Sequence, residues 1–139
     1  MEQRERVTDM LARNNRAVAN QHYRTMELQS RVASASPHGL VSLLYEELLR
    51  SLDLLVLTVG RGARVSGNAH HAKALSIIVA LESSIDFDSG GDLAGVLQRI
   101  YRPAARTLNN AAQTDDIASI TEVRSAISEI ASAWSALAK

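Results

Sequence analysis

The chain is 139 residues long, carries 15 Lys plus Arg against 15 Asp plus Glu, and has no cysteine. That length suits one domain with a sizeable core, and the balanced charge points to neither nucleic acid nor an anionic membrane surface. The lack of cysteine excludes a disulfide framework and thiolate-bound metal.

The first segment opens on Met1-Glu2-Gln3-Arg4-Glu5-Arg6. It is charged and lacks the apolar core of a Sec-type signal peptide, so a cytoplasmic protein is expected. No uninterrupted apolar run in the chain approaches the roughly 20 residues that span a bilayer. Residues 1–21 show a weak helical stripe of Val7, Leu11 and Val18, too narrow to bury much area. Tyr23, Met26, Leu28 and Val32 are scattered over residues 22–35. Residues 1–35 are therefore read as an arm, mobile or briefly helical, ahead of a folded domain at 36–139.

The strongest start signal follows. Ser36 suits an N-cap, and Pro37 fits the first helical position without losing a bond. A helix over 37–59 is predicted, with Gly60 and Gly62 to stop it. Val41, Leu44, Leu48, Leu52, Leu55 and Val59 share one arc that faces a core. Leu43, Leu54 and Leu57 fall on the far side of the same helix. Beyond the polar loop 60–67, Asn68 caps a second helix over about 68–86, with Ala74, Ile78, Leu81 and Ile85 inward. Leu75 and Val79 project elsewhere.

The turn Asp86-Phe87-Asp88-Ser89-Gly90-Gly91-Asp92 breaks the pattern, and Asp92 is the expected cap of a third helix over 93–112. Its apolar positions are Leu93, Val96, Leu97, Ile100, Ala104 and Leu108, and Pro103 should kink it. Asp115-Asp116 supplies negative charge to the start of the last helix, whose stripe is Ile120, Val123, Ile127, Ile130, Trp134 and Leu137. Two prolines and few aromatic residues among many Ala and Leu favour helix over sheet. The fold class read from this is all-α, an antiparallel four-helix bundle behind an N-terminal arm.

Several separated motifs together resemble the flagellar export chaperone family FliS. They are Ala35-Ser36-Pro37, Leu44-Tyr45-Glu46, Ile85-Asp86, Gly90-Gly91-Asp92, Ile100-Tyr101 and the late Ala133-Trp134. The sequence departs from the family pattern at Ser34 for Thr, at Glu46-Glu47 for Asp-Gly, and at Tyr101-Arg102-Pro103. The resemblance implies a cytoplasmic chaperone that binds the disordered carboxy-terminal segment of flagellin and assists its delivery to the flagellar export gate. It also implies that the amino-terminal arm of the free chaperone covers part of the client surface. Independently, a disordered amphipathic tail gains helix by laying its apolar side into grooves on a preformed bundle. Apolar residues left over from the core suit that purpose. The candidate partner residues are Tyr23, Val32, Leu40, Leu43, Tyr45, Leu54, Leu57, Leu75 and Val79.

The competing reading is a histidine phosphotransfer domain, also a four-helix bundle, with His70 or His71 as acceptor and Lys73 nearby. The Leu-Lys-Gly context of such domains is missing, and fold alone does not confer function. No metal or cofactor is expected: the sequence holds no Glu-x-x-His pair, and Glu46-Glu47 and Asp115-Asp116 are adjacent and splay apart. Nor is there a phosphate loop or nucleophile motif. The arginines of the arm, Arg61 and Arg64 lack the aromatic company of an RNA site. The chain is read as a binding protein and not an enzyme, a monomer or weak homodimer.

Overall fold

The computed structural model describes residues 2–137, with side chains except those of 2–5, 7, 10–14 and 17–18. Val7, Leu11 and Val18 therefore lie outside the described side chains. Five helices run along the chain: α1 (Glu2–Ser34), α2 (Pro37–Gly60), α3 (Ala69–Ser83), α4 (Gly91–Thr114) and α5 (Ile117–Ala136). There is no strand among the described residues. Contacts divide the chain into two units, 1–37 and 38–139.

In the first unit α1 is one continuous helix of 33 residues, longer than the sequence stripe suggested. No Gly or Pro interrupts it, and Ala, Arg, Glu and Gln dominate it, so intrinsic propensity sustains what burial does not. It stops at Ala35-Ser36, since the residue before Pro37 is pushed out of the helical region.

Pro37, the last residue of the first unit, opens α2, and the rest of that helix belongs to the second. The helix closes in a Schellman motif centred on Gly62 (φ 101°): Ala63 N–H donates to the Thr58 carbonyl and Gly62 N–H to Val59. Asn68 caps α3 as expected, its side chain accepting from His70 N–H at 3.0 Å. Asp92 does not cap α4. Gly90 takes that place with no side-chain bond, and Asp92 sits in the first turn, where its charge faces the positive helix end. The helix continues through Pro103. Asp115 ends α4 in the left-handed region (φ 53°) and accepts from Val65 N–H at 2.9 Å, while Asp116 caps α5 through Ala118 N–H. One acid closes a helix and pins a loop; its neighbour opens the next.

The core draws on all four helices of this unit and on Val65, a loop residue that periodicity had no means to find. Helix α4 packs against both α3 and α5. The inward stripes of α2 and α5 are buried or packed on the core as expected, except Leu137 at the end of α5, which is exposed. On α4 the match is partial. Ala94, Tyr101, Ala104, Leu108 and Ala111 are buried, whereas Leu93 and Val96 are exposed. Ala104 and Leu108 of the expected stripe are buried, and Leu97 and Ile100 pack on the core, but the buried row also runs through Ala94, Tyr101 and Ala111, which that stripe left out.

Candidate partner-binding surface

The expected partner residues fall into two groups. Leu57 and Val79 are large apolar side chains left in solvent, at 46% and 55% exposure, and Leu40 is exposed at the start of α2. Tyr23 (70%) and Val32 are exposed on α1. Leu54 is half-buried, and Leu75, also half-buried, packs on the core. Leu43 and Tyr45 are buried, being only 7% and 2% exposed. Leu43 stands outside the core cluster, as its angle required, yet it is covered all the same. A projection of one helix says where a side chain points and nothing of what lies over it. Tyr45 precedes Leu48 by three residues and so shares the core arc.

Tyr45 is part of an aromatic assembly that the sequence did not disclose. Its hydroxyl meets that of Tyr101 in a very short hydrogen bond, and its ring lies edge-on to Trp134, with centroids 6.3 Å apart. Trp134 in turn stacks on His38 at 4.5 Å and 8°. The two are also tied by reciprocal bonds. Trp134 Nε1–H donates to the His38 carbonyl at 3.1 Å, and His38 Nε2 lies 3.0 Å from the Trp134 carbonyl. The start of α2 is thereby fastened to the end of α5. His38 is the second residue of α2.

The rings of Tyr45, Tyr101 and Trp134 wall a cavity of about 210 Å³. Val41, Leu81, Ile85, Leu93 and Leu97 complete its apolar lining, and Asp86 and Gly90 stand at the α3–α4 turn. Burial pushes both phenols above the ordinary tyrosine range, and the contact with Tyr45 raises Tyr101 further. Asp86 is held below the usual carboxylate range, first by the Ser89 hydroxyl and then by backbone N–H groups of Ser89 and Asp88. Phe87, Leu93 and Val96 are exposed apolar groups, and of these Leu93 lines the cavity.

Of the two histidines of the phosphotransfer alternative, one is tied into the fold. His71 is buried, and its Nε2 lies 2.7 Å from the Leu108 carbonyl, a structural tie between α3 and α4. The Lys73 ammonium is paired with Glu47 on α2 at 2.9 Å. No group of His, Asp or Glu able to hold a metal occurs among the described residues. Among the described residues, too, no helix is long and apolar enough to cross a membrane.

Residues of five motifs that carry the family resemblance line one cavity. Tyr45, Asp86, Gly90, Tyr101 and Trp134, distant in sequence, converge there. A family model described as "Flagellar protein FliS" matches residues 19–139. The chain belongs to the FliS family. Similar curated proteins bear this out. The flagellar secretion chaperone FliSB of Pseudomonas aeruginosa is 30% identical over 70% of this chain and 78% of its own. The flagellar secretion chaperone FliS of Vibrio cholerae is 30% identical, covering 69% and 71%, and that of Salmonella typhimurium is 32% identical, covering 68% and 70%. Family membership also explains Gly90-Gly91 physically. A side chain at Gly90 would strike the Asp86 carbonyl, and Gly91 adopts φ 55°.

Proposed function

We propose that this chain is a cytoplasmic flagellar export chaperone, without enzymatic activity, that binds the disordered carboxy-terminal segment of flagellin. It keeps that segment from premature polymerisation and brings it to the flagellar export gate. Helices α2–α5 form an antiparallel four-helix bundle in this reading. Ion pairs of α2 with α3 and α5, and of α3 with α4, support that arrangement. The observation that carries the function is the exposure of Leu57 and Val79 on two helices of a chain from a secretion-chaperone family. An amphipathic client laid along those helices covers such side chains. Leu40, Leu54 and Leu75 extend the surface, and Tyr23 and Val32 on α1 are further client or export-gate contacts.

Burying one leucine at an interface is worth about 1.5–3 kcal/mol, or roughly ten- to a hundredfold in affinity. Changing Leu54 and Leu57 to Ser together should weaken a flagellin carboxy-terminal peptide at least about tenfold by titration calorimetry. Leu57→Ser alone should leave the melting temperature nearly unchanged, as exposed sites cost about 0.5 kcal/mol or less. Leu48→Ser, at a fully buried site, should cost stability first. A wild-type protein that ignores the peptide would refute the reading.

A further inference from the structure

The α3–α4 turn has a chemistry that client binding through apolar contacts leaves unused. From Ala74 to Gln98 there are four acidic residues and no Lys, Arg or His. Glu82 is engaged by Arg102 at 3.0 Å. The other three, Asp86, Asp88 and Asp92, are exposed within seven residues of chain. The partial charges of the two helix ends that meet here, about half a negative unit at the end of α3 and half a positive unit at the start of α4, roughly cancel. Three carboxylates remain to set the local field. Asp86 spends its acceptors on the turn itself, bonding Asp88 N–H, Ser89 N–H and the Ser89 hydroxyl. Among the described residues the Asp88 and Asp92 carboxylates have no ion-pair partner.

These two flank the wall positions Asp86, Gly90 and Leu93 of the aromatic cavity, within two residues of each. At about 210 Å³ the cavity exceeds the roughly 150 Å³ apolar void that accommodates benzene, so it has room for a Leu, Met or Phe side chain. Leu93, one of its lining residues, is an exposed apolar side chain. The cavity floor is not wholly apolar. Tyr45 and Tyr101 are at least 98% buried, and two phenols joined by one bond keep one O–H proton unspent. An apolar void beside unpaired like charges calls for a guest with an apolar anchor and a cation close to it. On a helix, side chains three or four apart lie on one face.

We propose that the cavity takes an apolar side chain of an amphipathic partner helix while Asp88 and Asp92 pair with a Lys or Arg one helical turn from that anchor. The inference rests on the reading of this chain as a binder of amphipathic segments and adds the charge rule by which it selects them. Exposed pairs are individually weak and salt-screened, so the turn supplies selection and the cavity supplies grip.

The test uses the full chain and two Trp-free synthetic amphipathic peptides. They are identical except for Lys or Glu at the positions three and four residues from a central Leu. Trp134 is the sole tryptophan and stands in the cavity wall, so its emission reports occupancy. The Lys peptide should shift that emission and bind about three- to tenfold tighter than the Glu peptide at low salt. The preference should shrink at high salt, vanish in Asp88→Asn/Asp92→Asn, and invert in Asp88→Lys/Asp92→Lys. Circular dichroism of these surface variants should match the wild type. Equal binding of the two peptides, an undisturbed Trp134, or a preference that survives charge reversal would overturn the inference. Calorimetry with the flagellin peptide and Leu57→Ser fails or succeeds separately, since Leu57 is not part of the cavity lining.

Discussion

Tyr45 and Tyr101 show how a buried polar pair constrains the residues around it. Each hydroxyl is shut away from water and is satisfied by the other. Removing one leaves its partner to bear a desolvation cost of about 1–3 kcal/mol, whereas removing both leaves an apolar contact of nearly the same shape. Urea denaturation should therefore show Tyr45→Phe and Tyr101→Phe each destabilising, and the double variant costing less than the sum. The pair also predicts a pH dependence. Both folded pKa values lie above the unfolded one, so the pair's contribution is complete below pH about 10 and is lost as pH rises toward the folded values. The urea midpoint of the wild type should fall above pH about 10, and the double Phe variant should lose that part of the fall. His71 is read in the same way: its ring nitrogen ties α3 to the Leu108 carbonyl, which is why a sequence motif that suggested phosphotransfer is structural.

At the scale of elements, the α3–α4 turn is specified by two glycines for two different reasons. A Cβ on Gly90 would lie 2.3 Å from the Asp86 carbonyl oxygen, a backbone atom that cannot swing aside. Gly91 has open space but a left-handed φ. Gly90→Ala should therefore open the turn and cost about 1–3 kcal/mol. Gly91→Ala should cost about 1–2 kcal/mol, and Gly91→Asn less, since Asn visits that region more readily. Thermal melts of the three variants should rank in that order, and an innocuous Gly90→Ala would contradict the geometry. Helix α1 teaches the opposite lesson. Its described side chains from 19 to 34 are exposed apart from Leu28, so its continuity comes from residue composition, not from a buried face.

For the whole molecule, every residue of the core cluster lies between Val41 and Trp134. A chain of residues 36–139 should accordingly melt in one cooperative transition, followed by far-UV circular dichroism, and a molten product would place α1 in the core. Much of the second unit was legible beforehand. Helix starts at Pro37 and Asn68, the stop at Gly62 and the stripes of α2 and α5 follow from local sterics, capping and a 3.6-residue period, all written in neighbouring residues. The family resemblance was legible too, through motifs whose order is local to the chain. What the sequence alone left open was everything that depends on residues brought together from afar. The burial of Leu43, that of Ala94 and Ala111 on α4, and the capture of Val65 by Asp115 are of this kind. So are the clamp of His38 on Trp134 and the meeting of Tyr45 with Tyr101. Period and propensity act within a few residues. A cavity walled by side chains up to 93 positions apart, from Val41 to Trp134, exists only after the helices have packed, because packing alone decides which of several apolar faces meets another and which is left to a partner.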